Sequence, residues 1–302
     1  MSDPVSRQIP EGRTAFGARL RRAMDARGQL CVGIDPHPAL LAAWGLNDDA
    51  AALERFSLTV LEAVGEHAAA VKPQVALFER HGSAGMAALE RVLAACSDAG
   101  MLSIADAKRG DIGSTMAAYA DAWLRDGSAL AADSVTLSPY LGFESLRPAL
   151  DLAAASGRGV FVLALTSNPE GASVQHVGGT ASVAARIMDA AAAENTRELE
   201  GAGGGAVSGA PGSVLGSTGL VIGATVGSAM TELDLDPAAA ATPILAPGLG
   251  AQGATGADLR LTFGAAYPNV LATSSRDILR AGPHPAGLRE AALRTQAGLS
   301  PA

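Results

Sequence analysis

The stretch Ile104-Ala105-Asp106-Ala107-Lys108-Arg109-Gly110-Asp111 sets two carboxylates about an ammonium at the end of an apolar run. Residues two apart on a strand face the same side, so Asp106 and Lys108 are expected to point together. A lysine fixed among carboxylates can stabilise a developing negative charge and deliver a proton. The bare Asp-x-Lys-x-x-Asp pattern describes equally well an ion pair at a strand end followed by an aspartate helix cap. Other polar residues close apolar runs of their own: Asp35 after LCVGI, Lys72 after AAV, Ser167 after VFVLALT, Arg276 soon after NVLAT. Gly248 and Gly250, just before Gln252, would let backbone amides approach an anion. Gln252 would add a neutral donor and Arg276 a charge-assisted contact. Taken singly, these are a glycine loop and a surface arginine.

The elements that must position these groups are legible in the pattern. Eight short apolar runs read as strands: Leu30–Asp35, Ala69–Lys72, Leu102–Asp106, Ser134–Leu137, Val160–Thr166, Leu220–Thr225, Pro243–Ala246 and Asn269–Thr273. They are nearly continuous rather than alternating, as in parallel strands buried on both faces. Between them lie alanine-rich helical patterns, including Ala50–His67, Ser83–Ala99, Thr115–Asp126, Glu144–Ala155 and Ala181–Glu194. Thr14–Arg27 precedes the first strand and Pro285–Gln296 closes the chain. The simplest closed solution is an α/β fold of the (β/α)8 TIM-barrel type, a single domain over residues 1–302. In such a barrel the polar residues at the carboxyl ends of the strands converge on one mouth. A doubly wound open sheet is the alternative, and the first turn, GIDPHPAL, lacks the glycine-rich dinucleotide fingerprint it would favour. The glycine- and serine-rich segment Gly201–Gly219 reads as a flexible insertion on the N-terminal face, away from the mouth.

Composition narrows the function classes. A net charge of -8 gives no global attraction for nucleic acid or anionic membrane, so an anionic ligand would have to be met by local positive charge. The apolar runs are far too short to span a bilayer, and the first residues, MSDPVSRQIPEGRTAF, contain no apolar signal core. A cytoplasmic protein is expected. Cys31 and Cys96, both in apolar runs, read as reduced core thiols. The five histidines show neither metal-ligand spacing nor a triad pattern, and Trp44 and Trp123 read as helix-packing residues.

The longer stretch DAKRGDIGST resembles the signature of orotidine 5'-monophosphate decarboxylases. GIDP at Gly33–Pro36 is similar to that family's first-strand aspartate motif, and VKPQVALFE at Val71–Glu79 to its second-strand lysine motif in a longer bacterial branch. LTSNPEG at Leu165–Gly171, APGLGAQG at Ala246–Gly253 and SSRDIL at Ser274–Leu279 resemble its base-reading, phosphate-closing and phosphate-binding segments. The resemblance runs from the first strand to the eighth.

It implies decarboxylation of orotidine 5'-monophosphate to uridine 5'-monophosphate, with no cofactor and no metal. Lys108 would protonate the ring carbon that loses its carboxylate, and Lys72, Asp106 and Asp111 would complete the charged network. Asp111 would reach into a partner's site, with Thr115 beside it on the ribose side, making a homodimer with shared sites the functional unit. Asp35 would bind a ribose hydroxyl and Ser167 the pyrimidine amide edge. Gly248, Gly250, Gln252 and Arg276 would hold the phosphate, their loop acting as a lid. Two other readings remain open at this stage. One is a metal-dependent sugar-phosphate decarboxylase or hexulose-phosphate synthase of the same barrel group. The other is a catalytically silent phosphate-binding barrel.

Overall fold

In a computed structural model, which describes residues 13–201, 213–238, 241–250 and 253–300, the eight strands close into one parallel barrel. They are β1 (Leu30–Ile34), β2 (Ala70–Pro73), β3 (Leu102–Arg109), β4 (Ser134–Leu137), β5 (Gly159–Leu165), β6 (Thr218–Ile222), β7 (Ile244–Pro247) and β8 (Val270–Ser274). Each pairs in parallel with its sequence neighbour, and β1 with β8 closes the ring through Leu30–Ala272, Cys31–Thr273 and Val32–Ser274. The (β/α)8 expectation is therefore correct. The near-continuous apolar runs follow from the architecture: one face of each strand meets the barrel interior and the other the helix layer.

The core divides accordingly. One cluster lies between strands and helices, where Phe56, Val60, Phe78, Leu89, Trp123 and Leu150 are among the buried residues. The other fills the barrel interior with Cys31, Ile104, Phe161, Val221, Leu245 and Leu271. Into this second cluster the opening helix, Phe16–Arg27, inserts Phe16, Leu20 and Met24. Phe16 meets Phe161 edge-on at 6.0 Å. Gly159 makes that approach possible, since a Cβ there would lie 2.2 Å from the Phe16 ring. The N-terminal end of the barrel is thus plugged, leaving the opposite end for chemistry.

The two tryptophans pack helices as expected. Trp44 stacks on Phe56 at 4.1 Å and donates its indole N–H to the Leu279 carbonyl, while Trp123 is buried. Both cysteines are buried and free.

The glycine-rich insertion is narrower than its composition suggests. The helix Val183–Gly201 runs seven residues past the expected Glu194, and Thr218 and Gly219 already belong to β6. Asn195 sets that strand start, donating to the Thr218 carbonyl at 2.9 Å and accepting from its amide at 3.0 Å. Just before it, Leu215 is buried in the interior cluster and Ser217 donates to Glu198. Residues 202–212 lie outside the described residues, so the flexibility expected of the segment is a statement about its composition alone.

Candidate active site

Above the apolar floor the strand ends carry charge. A cavity of about 260 Å³ opens at the carboxyl end of the barrel, lined by residues that include Asp35, Lys72, Gln74, Asp106, Lys108, Thr136, Gly248, Ser275 and Arg276. At its centre is the Asp106 carboxylate, buried and engaged by four side chains. Lys72 Nζ donates to Oδ2 at 2.7 Å and Gln74 Nε2 to the same oxygen at 3.1 Å. Lys108 Nζ donates to Oδ1 at 2.6 Å and Thr136 Oγ1 to Oδ1 at 3.0 Å. The two lysines differ in solvent access: the Lys72 side chain is 7% exposed and the Lys108 side chain 46%. Lys72 is structural to the cluster, whereas Lys108 reaches the open cavity.

The electrostatics follow from that geometry. Burial pulls the Asp106 carboxyl up, but Lys72 and Lys108 outweigh it and hold it well below the ordinary aspartate value. Burial likewise opposes the Lys72 ammonium, yet Asp106 and Asp35 hold its pKa above that of an ordinary lysine. Beneath them burial pushes the Cys31 thiol up to about 12 against the pull of Lys72, leaving an inert group.

Asp106 and Lys108 reach one cavity as expected, but not along a regular strand. Pairing of β3 with β4 passes from Ala105–Val135 to Arg109–Leu137 with a register shift between them. Asp106, Ala107 and Lys108 thus face Thr136 alone. Lys108 has φ +49°, a left-handed backbone that a side-chain-bearing residue seldom adopts. Bulges of this kind re-aim side chains beside active sites. Arg109, next in the chain, turns outward, ion-paired with Glu79 and lying over the rings of Tyr119 and Trp123 at 5.6 and 5.7 Å.

Asp35 follows β1 directly. Its Oδ1 is buried with no hydrogen-bond partner among the described residues, as is Ser275 Oγ beyond the neighbouring strand β8. Both suit a ligand bearing hydroxyls or phosphate oxygens. Arg276 follows β8, exposed and with no carboxylate partner among the described residues. Gly248 lines the cavity. Gly250, one turn further, has φ +75°, and a Cβ there would lie 1.9 Å from Asp277 Oδ2. Its amide donates to the Ala254 carbonyl at 2.8 Å, so in this conformation it is not directed at a ligand. Gln252 lies outside the described residues.

Three other expected residues stand outside the cavity lining. Ser167 is exposed, two residues beyond β5. Asp111 is half-buried beyond β3, its Oδ1 accepting from the Ile112 amide at 2.8 Å. Thr115 is exposed in the first turn of the helix Gly113–Leu124. Gln74, Thr136 and Ser275 were not expected. Gln74 had one usable signal: it sits two residues beyond Lys72, on the same face. Among the described residues no set of three His, Cys, Asp or Glu side chains is gathered as metal ligands.

A closed (β/α)8 barrel with a Lys–Asp–Lys chain and an arginine, which has no carboxylate partner among the described residues, at the carboxyl ends of its strands has the layout of a barrel enzyme. The comparisons make this specific. The model of the orotidine 5'-phosphate decarboxylase / HUMPS family matches residues 28–291, and the chain belongs to that family. A Streptomyces coelicolor protein named orotidine 5'-phosphate decarboxylase is 55% identical over 281 residues, covering 92% of this chain and 95% of that one. A Salinispora arenicola protein of the same name is 55% identical over 285 residues, covering 94% and 96%. Among solved structures, a Streptomyces avermitilis protein provisionally given that name matches with a TM-score of 0.85 at 54% identity, covering 97% and 98%. No helix among the described residues is long and apolar enough to cross a membrane.

Proposed function

We propose that this chain decarboxylates orotidine 5'-monophosphate to uridine 5'-monophosphate and carbon dioxide, the last step of de novo pyrimidine nucleotide synthesis, as a single barrel domain in the cytoplasm. The observation that carries the reading is the Lys72–Asp106–Lys108 chain, which ends in an ammonium at the open cavity. Loss of carbon dioxide leaves an electron pair in the plane of the ring, where the π system cannot delocalise it. A fixed ammonium stabilises that charge as it develops and then supplies the proton. Lys108 is the donor. Lys72 holds Asp106 in place, and Asp106 holds Lys108. Arg276 and the Gly248–Gly253 loop take the phosphate, Asp35 a ribose hydroxyl and Ser167 the amide edge of the base.

The working unit in this reading is a homodimer in which Asp111 and Thr115 complete the partner's site. Their position outside the cavity supports it, Asp111 half-buried and Thr115 exposed, as does the apolar surface beside them. Ile112 is 62% exposed, Tyr140 80% and Leu141 54%. The loops bearing them meet where the Ser138 amide donates to the Arg109 carbonyl at 2.8 Å.

The test is the fall in ultraviolet absorbance when orotidine 5'-monophosphate is added in the presence of a chelator. Turnover there is expected. Turnover of a sugar phosphate that requires a divalent metal would place the chain with the metal-dependent branch. Binding of uridine 5'-monophosphate without turnover of the orotate nucleotide would make it a silent barrel.

A further inference from the structure

Granting the decarboxylase reading, we propose that Thr136 is a positioning residue that pins the proton donor by clasping the β3 bulge from both sides. Between Ala105–Val135 and Arg109–Leu137, three residues of β3 oppose one residue of β4. Such a bulge leaves ladder groups without their regular partners. The Thr136 hydroxyl serves in their place. Its oxygen accepts the Lys108 backbone N–H at 2.9 Å, and its proton goes to Asp106 Oδ1 at 3.0 Å. That same Oδ1 accepts from Lys108 Nζ at 2.6 Å. One buried hydroxyl therefore ties the main chain of Lys108 to the carboxylate that holds its side chain.

The tie opposes a specific tendency. At φ +49° the Lys108 backbone lies in the left-handed region, which an L-residue leaves unless its surroundings hold it there. Relaxation would draw the Lys108 N–H towards a β4 carbonyl and undo the bulge that sets where its side chain enters the cavity. Thr136 itself cannot yield, being almost wholly buried on a regular strand. No other described side chain accepts from the Lys108 amide. Gln74 and Lys72 secure the far oxygen of Asp106 but do not touch the Lys108 main chain.

The test compares Thr136→Val, Thr136→Ala and Thr136→Ser with the wild-type enzyme. Thr136→Val keeps the shape and removes the hydroxyl. Thr136→Ala does so without setting a methyl group against Lys108 N–H, and serves should the valine variant not fold. A misplaced catalytic group costs on the order of 10²-fold. The hydroxyl-free variants should therefore lose about that factor in kcat, while KM moves by less than roughly threefold. Thr136→Ser should recover most of the loss. Amide hydrogen exchange over residues 104–110 should quicken in the hydroxyl-free variants and stay near wild type in the serine variant. A wild-type kcat in Thr136→Ala, a serine variant as impaired as alanine, or unchanged exchange would each overturn the proposal. A wild-type protein with no turnover would instead overturn the decarboxylase reading, and the exchange measurement would still decide whether Thr136 pins the bulge.

Discussion

Replacing Lys72 and Asp106 singly and together asks whether the charged cluster serves the fold or the chemistry. Lys72 and Asp106 face each other at 2.7 Å with side chains 7% and 9% exposed. Removing one partner of such a pair leaves a buried charge uncompensated and costs about 3–5 kcal/mol. Lys72→Met falls near the lower end, about 3 kcal/mol, because Asp106 keeps Lys108, Gln74 and Thr136 as donors. Asp106→Leu falls near the upper end, about 5 kcal/mol, because Lys72 then has no hydrogen-bonded carboxylate. The double variant should return to within about 3 kcal/mol of wild type, since apolar residues of similar volume replace a buried pair at little or no net loss, while the buried Thr136 hydroxyl, left without its acceptor, costs about 1–3 kcal/mol. All three should be inactive.

Urea unfolding between pH 5 and 9 is the assay. The folded pKa of Asp106 lies below its ordinary 3.8, so its contribution is present above that value and is lost as pH falls beneath it. The folded pKa of Lys72 lies above its ordinary 10.5, so its contribution is present below that value and is lost as pH climbs past the raised one. Neither group titrates within the assay window, and the coupling should be independent of pH there. A double variant destabilised by the sum of the two single losses would refute the reasoning.

Lys108→Ala should abolish turnover and leave the far-ultraviolet circular dichroism unchanged, because its side chain is half in solvent and underpins no packing; near-normal activity would exclude it as the acid. Mixing inactive Lys108→Ala with inactive Asp111→Ala under subunit exchange should restore about one quarter of wild-type activity, since half the dimers are mixed and each holds one whole site; no recovery would argue against a shared site. Arg276→Ala should lower kcat/KM by roughly 10- to 100-fold, the worth of one charge-assisted hydrogen bond. A loss as large with a phosphate-free nucleoside substrate would remove Arg276 from the phosphate site.

Much of the fold was legible because parallel barrel strands are buried on both faces and so betray themselves as short continuous runs. β4 lies where its SVTL run puts it. The departures have local causes. β3 continues past Asp106 to Arg109 because the bulge keeps it paired beyond the charged residue. The helix Gly256–Phe263 escaped notice although Thr255 and Asp258 form a capping box that the sequence displays. In the site, charge was the legible signal: Lys72, Asp106, Lys108, Asp35 and Arg276 all line the cavity. Thr136 was invisible because a β-branched residue within SVTL is what any strand prefers. Its role depends on a register shift that no single strand encodes.

The placement of that charge explains how the barrel tolerates it. A buried carboxylate and ammonium carry a desolvation cost of several kcal/mol each in a real interior. Here that cost is confined to one layer. Below it, Cys31, Ile104, Val221, Leu245 and Leu271 form an apolar floor closed from the other end by Phe16, Leu20 and Met24, and the fold is secured without help from the charges. Above it lies solvent, which Lys108 reaches. Between the two, Asp106 is fully subscribed and so has no spare lone pair directed at a substrate. In the proposed reaction it acts through the lysine that it holds. On the proposed reading the chemistry rests on the one member of the cluster that the fold leaves partly free, with Thr136 keeping that member still.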